Sequence, residues 1–127
     1  MRTITDRATK ERIAKEFVFE VDSGASITLG IMVAINASGK AVPASATAGL
    51  TVVGIADGLH GTDVQYVTAR RGCFAFDAAA TDAPTQADIG KPVYTADAVS
   101  LATTSTGDKP QAGILLGVDA DGCWVDI

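Results

Sequence analysis

Near its end the sequence reads GILLGVDADGCWVDI, with two carboxylates and a glycine between two apolar runs. Acidic residues on alternate positions before a glycine are the start of a calcium loop. Such a loop needs oxygen ligands at positions 1, 3 and 5, glycine at 6 and a bidentate glutamate at 12. Counted from Asp119, position 3 is Asp121, but position 5 is Cys123 and Gly122 falls at position 4. Spacing and ligand type both fail. An Asp-Gly between two strand-like runs predicts a hairpin instead, because glycine tolerates the positive φ that tight turns require. Asp57-Gly58, after VVGIA, predicts a second turn, with LHGTD lengthening its loop.

The other reactive side chains are scattered. His60 is the sole histidine and lies between Gly58 and Gly61, a loop context with no nucleophile signature such as G-x-S-x-G nearby. Cys73 and Cys123 lack the C-x-x-C spacing of zinc or redox sites. Each stands next to an aromatic residue in a strand-like stretch, so both are expected to be buried free thiols. Asp22, Asp57, Asp63, Asp82, Asp97 and Asp108 fall among turn-forming residues, which accounts for them without acid–base chemistry. No glycine-rich phosphate loop occurs. The sequence therefore nominates no catalytic, cofactor-binding or metal-binding residue, and a non-enzymatic protein without a cofactor is expected.

Charge is more informative. Residues 1–15 carry Arg2, Arg7, Lys10, Arg12 and Lys15 against Asp6 and Glu11, a net +3; the other 112 residues carry five basic and thirteen acidic side chains, a net −8. A basic tip on an acidic body predicts an arm that meets a different surface from the rest. Such an arm could touch nucleic acid electrostatically or be no more than a solvated terminus; for single-strand binding only Arg70-Arg71, near Tyr66 and Phe74, pairs basic with aromatic residues, a weak signal in an acidic body. Those two arginines stand out inside a β-rich stretch and read either as a turn capped by Gly72 or as a subunit-contact pair. No apolar run approaches the ~20 residues of a membrane span, and no apolar leader core is visible, so a protein made in a reducing cytoplasm is expected.

What must position these residues is a set of short strands. The chain has 127 residues, 47% of them hydrophobic, and thirteen glycines, enough for a core but too turn-rich for a helical fold. FVFEVDSGAS alternates, with Phe17, Phe19 and Val21 on one face. VQYVTARRGCFAF holds two short strands around Arg71-Gly72, and Pro43 marks an edge strand or loop. Apolar runs separated by turns every ~8–12 residues predict an all-β fold, a small β-barrel or a β-sandwich. Residues 1–16 form a basic N-terminal arm or short helix, and 17–127 a single β domain. Val118, Cys123 and Val125 are placed in the core of the last hairpin.

A weak internal echo runs through that domain. ITLGIMVAIN leads to VVGIADG much as ADIGKPVYTAD leads to LLGVDADG, which matches Gly30 and Gly54 to Gly90 and Gly117. Two related β-units folded against one another would produce it; so would coincidence in a glycine-rich chain.

The order of motifs in the second half is more specific than any one of them. Gly72 and Phe74, then Gly90-Lys91-Pro92-Val93-Tyr94, then Gly117 and Trp124-Val125-Asp126-Ile127 resemble the capsid cement, or head decoration, proteins of tailed bacteriophages and prophages. Gly24, Ile27, Gly30 and Val33 agree more loosely, so the resemblance spans about residues 17–127. The basic segment before Phe17 is longer than in many such proteins, and Cys73 and Cys123 stand where aliphatic residues are usual. The resemblance implies a non-enzymatic virion protein that binds the outside of a phage head. It implies the major capsid protein and two further copies of itself as partners, in a homotrimer, with neither membrane nor direct nucleic-acid contact. Arg2, Arg7, Lys10, Arg12 and Lys15 become candidate capsid contacts, and Arg70 and Arg71 candidate subunit contacts. Alternatives are another virion module, such as a head–tail connector or tail-tip component, and a displayed carbohydrate- or cell-surface-binding module, for which Tyr66, Tyr94 and Trp124 are the available aromatic rings.

Overall fold

In Glu16–Glu20 the alternation of phenylalanine with polar and aliphatic neighbours does what period 2 requires: Phe17 and Phe19 turn inward and Val18 stays outward. This is β1 of a computed structural model that describes residues 5–127. Nine more strands follow: β2 Met32–Ile35, β3 Ala41–Pro43, β4 Thr51–His60, β5 Tyr66–Arg70, β6 Cys73–Ala78, β7 Pro92–Thr95, β8 Ser100–Ala102, β9 Gln111–Asp119 and β10 Gly122–Asp126. One 3-10 turn, Gln86–Asp88, precedes β7. The fold is mostly β-strand in two sheets. Pro43 ends the edge strand β3, where a missing N–H costs nothing. The helix alternative for the arm fails among the described residues: 5–13 form no regular element and 14–15 a turn. Its cause is the lack of an apolar stripe, with Ile13 84% exposed.

The two sheets are the same object built twice. The first has strand order β1-β5-β4-β2-β3; the second follows β6-β10-β9-β7-β8 and returns on itself through the parallel pair β8–β6. In the first, the parallel bridge Val21↔Ala41 stands where that pair stands in the second. Individual bonds repeat. Gly30 N–H donates to Ala56 C=O and Ala56 N–H to Ile31 C=O, while Gly90 N–H donates to Leu115 C=O and Leu115 N–H to Lys91 C=O. Arg71 N–H to Lys15 C=O is matched by Ile127 N–H to Gly72 C=O. Even the irregularities recur: a register shift at Val33/Ala34 answers one at Val93/Tyr94, and the bulge at Asp57 in β4 answers the one at Leu116 in β9.

The echo in the sequence is therefore a structural repeat, but four residues out of register. Gly54 pairs with Val33 as Gly113, not Gly117, pairs with Val93. Asp57-Gly58 is corrected too. It is the bulge of one long strand, and the chain turns later, between His60 and Tyr66.

Equivalent positions fill equivalent cores. Val33, Ala41, Ala56 and Val67 are buried in the first sheet where Val93, Leu101, Leu115 and Cys123 are buried in the second. The halves are also fused. Met32, Ala34 and Ile55 of the first pack in one cluster with Val93, Leu101, Leu115 and Val125 of the second. Burying each large aliphatic side chain contributes about 1.5–3 kcal/mol. Met32 N–H donates to Ala98 C=O at 2.9 Å, and the buried Thr95 Oγ1 donates to Ser45 C=O at 2.7 Å, so polar groups also cross the seam.

Candidate functional site

The Asp119–Gly122 segment is a hairpin turn. Asp119 pairs with Gly122 across β9 and β10, and Gly122 takes φ +126°. A Cβ on Gly122 would come within 2.5 Å of Phe76 C=O, so glycine is required twice over. The Asp119 carboxylate is fully engaged by its own hairpin: Oδ1 accepts Asp121 N–H at 2.8 Å and Oδ2 accepts Trp124 Nε1–H at 3.0 Å. Among the described residues no group of three or more His, Cys, Asp or Glu side chains could hold a metal ion. Asp119→Ala is expected to cost about 1–2 kcal/mol through the two lost hydrogen bonds, read by denaturant titration, with calcium leaving the wild-type midpoint unchanged.

The thiols differ from expectation in one case. Both are free and Cys123 is buried, but Cys73 is exposed. Cys73 opens β6 opposite the exposed Asp126, on the face that turns away from Phe74 and Phe76. Burial first, and the nearby Asp77 carboxylate second, push the Cys123 thiol above its ordinary value of 9.0. The unfolded thiol ionises before the folded one, so this group's contribution to stability is intact below pH 9 and is lost as pH rises through the raised value. A maleimide is expected to label Cys73 within minutes and Cys123 only after denaturation. Cys123→Val, which copies its counterpart Val67, is expected to cost under about 1 kcal/mol and to flatten the alkaline fall in stability.

His60 ends β4, exposed, its Nε2 3.1 Å from Thr68 Oγ1. Arg70 and Arg71 sit at the junction of the two repeats. Arg70 ends β5; its Nε lies 3.4 Å from Asp57 Oδ1 and its guanidinium 5.2 Å from the centre of the Phe74 ring. Its side chain thus ties β4 to β6 within the chain. Arg71 is exposed and borders a cleft of about 560 Å³ between the repeats, lined by Phe17, Phe19, Val52, Ile114 and Ile127 among others.

The arm enters beside that cleft. Lys15 C=O accepts Arg71 N–H at 2.8 Å and the Arg12 guanidinium lies 5.8 Å from the Phe17 ring centre. Arg12 and Lys15 therefore form an anchored base, and Arg7 and Lys10 an exposed tip whose side chains make no ion pair among the described residues. Arg2 lies outside the described residues. Sequence reasoning missed this division, and missed that β1 is an edge strand. The alternation in EFVFE marks a strand, but edge position depends on which strand lies beside it.

Neither a family model, nor a curated protein, nor a solved structure matches the chain.

Proposed function

We propose that this protein is a non-enzymatic capsid decoration protein that binds the outside of a phage head and stabilises it. The observation that carries the proposal is the pairing of an exposed basic arm with an acidic, duplicated β-body. Residues 5–15 are exposed throughout, and the arm is tied down only at its base. An ordered scaffold with one projecting charged segment suits binding to an extended acidic lattice. There many modest contacts add up through symmetry. We take the second repeat as a minimal five-strand barrel and the first as its more open counterpart, with three copies around a local three-fold axis forming the decorating unit. Arg7 and Lys10 contact the capsid through charge, while Arg12 and Lys15 set the direction of the arm. Arg71, free beside the cleft, is the better placed of the two arginines for a neighbouring copy.

Purified protein mixed with mature, undecorated heads of its own virus is expected to bind saturably and to raise the temperature at which the heads release DNA. Binding to a glycan array with loss on Trp124→Ala would instead support the surface-binding alternative. The indole N–H of Trp124 is already held by Asp119, which favours a structural role for that ring.

A further inference from the structure

The two repeats close their seams by different means. Each brings its first strand back beside its third: β6 beside β8 in the second repeat, and the end of β1 beside β3 in the first. The second seam is closed by backbone. Asp77 N–H donates to Val99 C=O at 2.9 Å and Ala79 N–H to Leu101 C=O at 2.8 Å. The first seam keeps the counterpart of the latter bond, Asp22 N–H to Ala41 C=O at 2.9 Å. Among the described residues it lacks the counterpart of the former, Glu20 N–H to Gly39 C=O. Side chains stand in for it. The Lys40 ammonium pairs with the Glu20 carboxylate, and Asn36 Nδ2–H donates to Asp22 Oδ2 at 2.9 Å. At the equivalent positions the second repeat has Ser100, Asp77, Ala96 and Ala79, where neither a cation nor a side-chain amide is available.

Strand β1 is also held more lightly than its sister. None of its five residues is buried, whereas β6 buries Phe76. Residues 5–15 before it are exposed, while β6 runs directly on from β5 and carries Phe74 under the Arg70 guanidinium. A groove of about 410 Å³ bounded by Glu20, Asp22, Lys40 and Asp63 opens beside the two ties. The Lys40 and Glu20 side chains are 40% and 35% exposed, so dissolved salt screens their attraction. Segments with few buried apolar contacts are the first to open. We propose that the Lys40–Glu20 and Asn36–Asp22 ties form a salt-sensitive latch on β1. When the latch parts, β1 peels from β5 together with the arm, and the second repeat stays folded. The hinge is the turn at Ser23-Gly24, just past the Val21 bridge. Opening adds the length of β1 to the arm, which extends its reach by roughly 17 Å. The latch stands apart from the capsid reading, because it needs only the free protein.

The test is amide hydrogen exchange by NMR on the full chain. Bonds alternate along an antiparallel pair, so Val21 N–H to Gln65 C=O turns the Phe17 and Phe19 amides toward β5. Ile127 N–H to Gly72 C=O likewise turns those of Phe74 and Phe76, their counterparts, toward β10. Phe17 and Phe19 should be at least tenfold less protected than Phe74 and Phe76, and the gap should widen as salt is raised. Lys40→Glu should widen it a further fivefold or more while Phe74 and Phe76 keep their protection, and adding Glu20→Lys should return the gap to that of wild type. Asn36→Asp keeps the acceptor for the Ser38 and Lys40 amides but sets a second carboxylate against Asp22, so it should act in the same direction as Lys40→Glu. Equal protection of the four amides, a gap unmoved by Lys40→Glu, or a double variant no closer to wild type than Lys40→Glu alone would each overturn the proposal. So would loss of protection at all four amides together, which would make the ties part of the global fold.

Discussion

Gly113→Ala is expected to destabilise the protein by about 3 kcal/mol or more and to lower its melting temperature by about 10 °C. Gly117→Ala, four residues along the same strand, should do almost nothing. A Cβ on Gly113 would sit 2.0 Å from Asp126 C=O and 3.1 Å from Val125 Cγ2. The obstruction is backbone, and β10 cannot retreat because β6 holds its other side. At Gly117 a Cβ meets nothing within 4 Å. Gly54 is the counterpart of Gly113. A Cβ there would sit 2.6 Å from Arg70 C=O, in a strand held from behind by β1, and φ is +151° as well. Gly54→Ala should therefore be at least as damaging as Gly113→Ala. This contrast checks the repeat itself: if Gly117 were the counterpart of Gly54, the order of the two effects in β9 would be reversed. Thermal unfolding of the three variants reads it directly.

The second large effect concerns the arm. Arg7→Glu with Lys10→Glu is expected to weaken binding to mature heads by a hundredfold or more, with the melting temperature within a degree of wild type. Both side chains are exposed and make no contact that the fold depends on, so stability and binding separate. Deleting residues 1–11 should have the same effect, and the cut belongs there because Arg12 and Lys15 support β1. Raising salt should weaken wild-type binding more than that of the double variant, as expected for exposed charges.

How much of this was legible beforehand depends on how local each feature is. The strands in EFVFE, YVTAR and CFAFDA declare themselves through alternation, and Gly122 through a turn completed within four residues. Asp57-Gly58 looked like the same signal and is not. A bulge is defined by the strand opposite, and in the second repeat the matching pair is Leu116-Gly117, with no turn-forming aspartate at all. The repeat was visible as an echo, but LLGVDADG resembles VVGIADG closely enough to hide the true frame, which only the pairing with β2 and β7 reveals. Its aromatic neighbour Phe74 predicts a core position for Cys73. One step along a strand reverses the face, and it emerges opposite Asp126. In the arm, composition showed the charge but not the division between anchored base and exposed tip, since that division rests on contacts with Phe17 and Arg71.

The most direct measurement is a binding isotherm of the full chain on mature, undecorated heads of its own virus, with occupancy counted by cryo-electron microscopy. The account predicts saturation at one class of symmetric site on the outer surface, in sets of three copies, with the basic arm against the shell. Absence of binding at tens of micromolar protein in low salt, or attachment only at the tail, would contradict it.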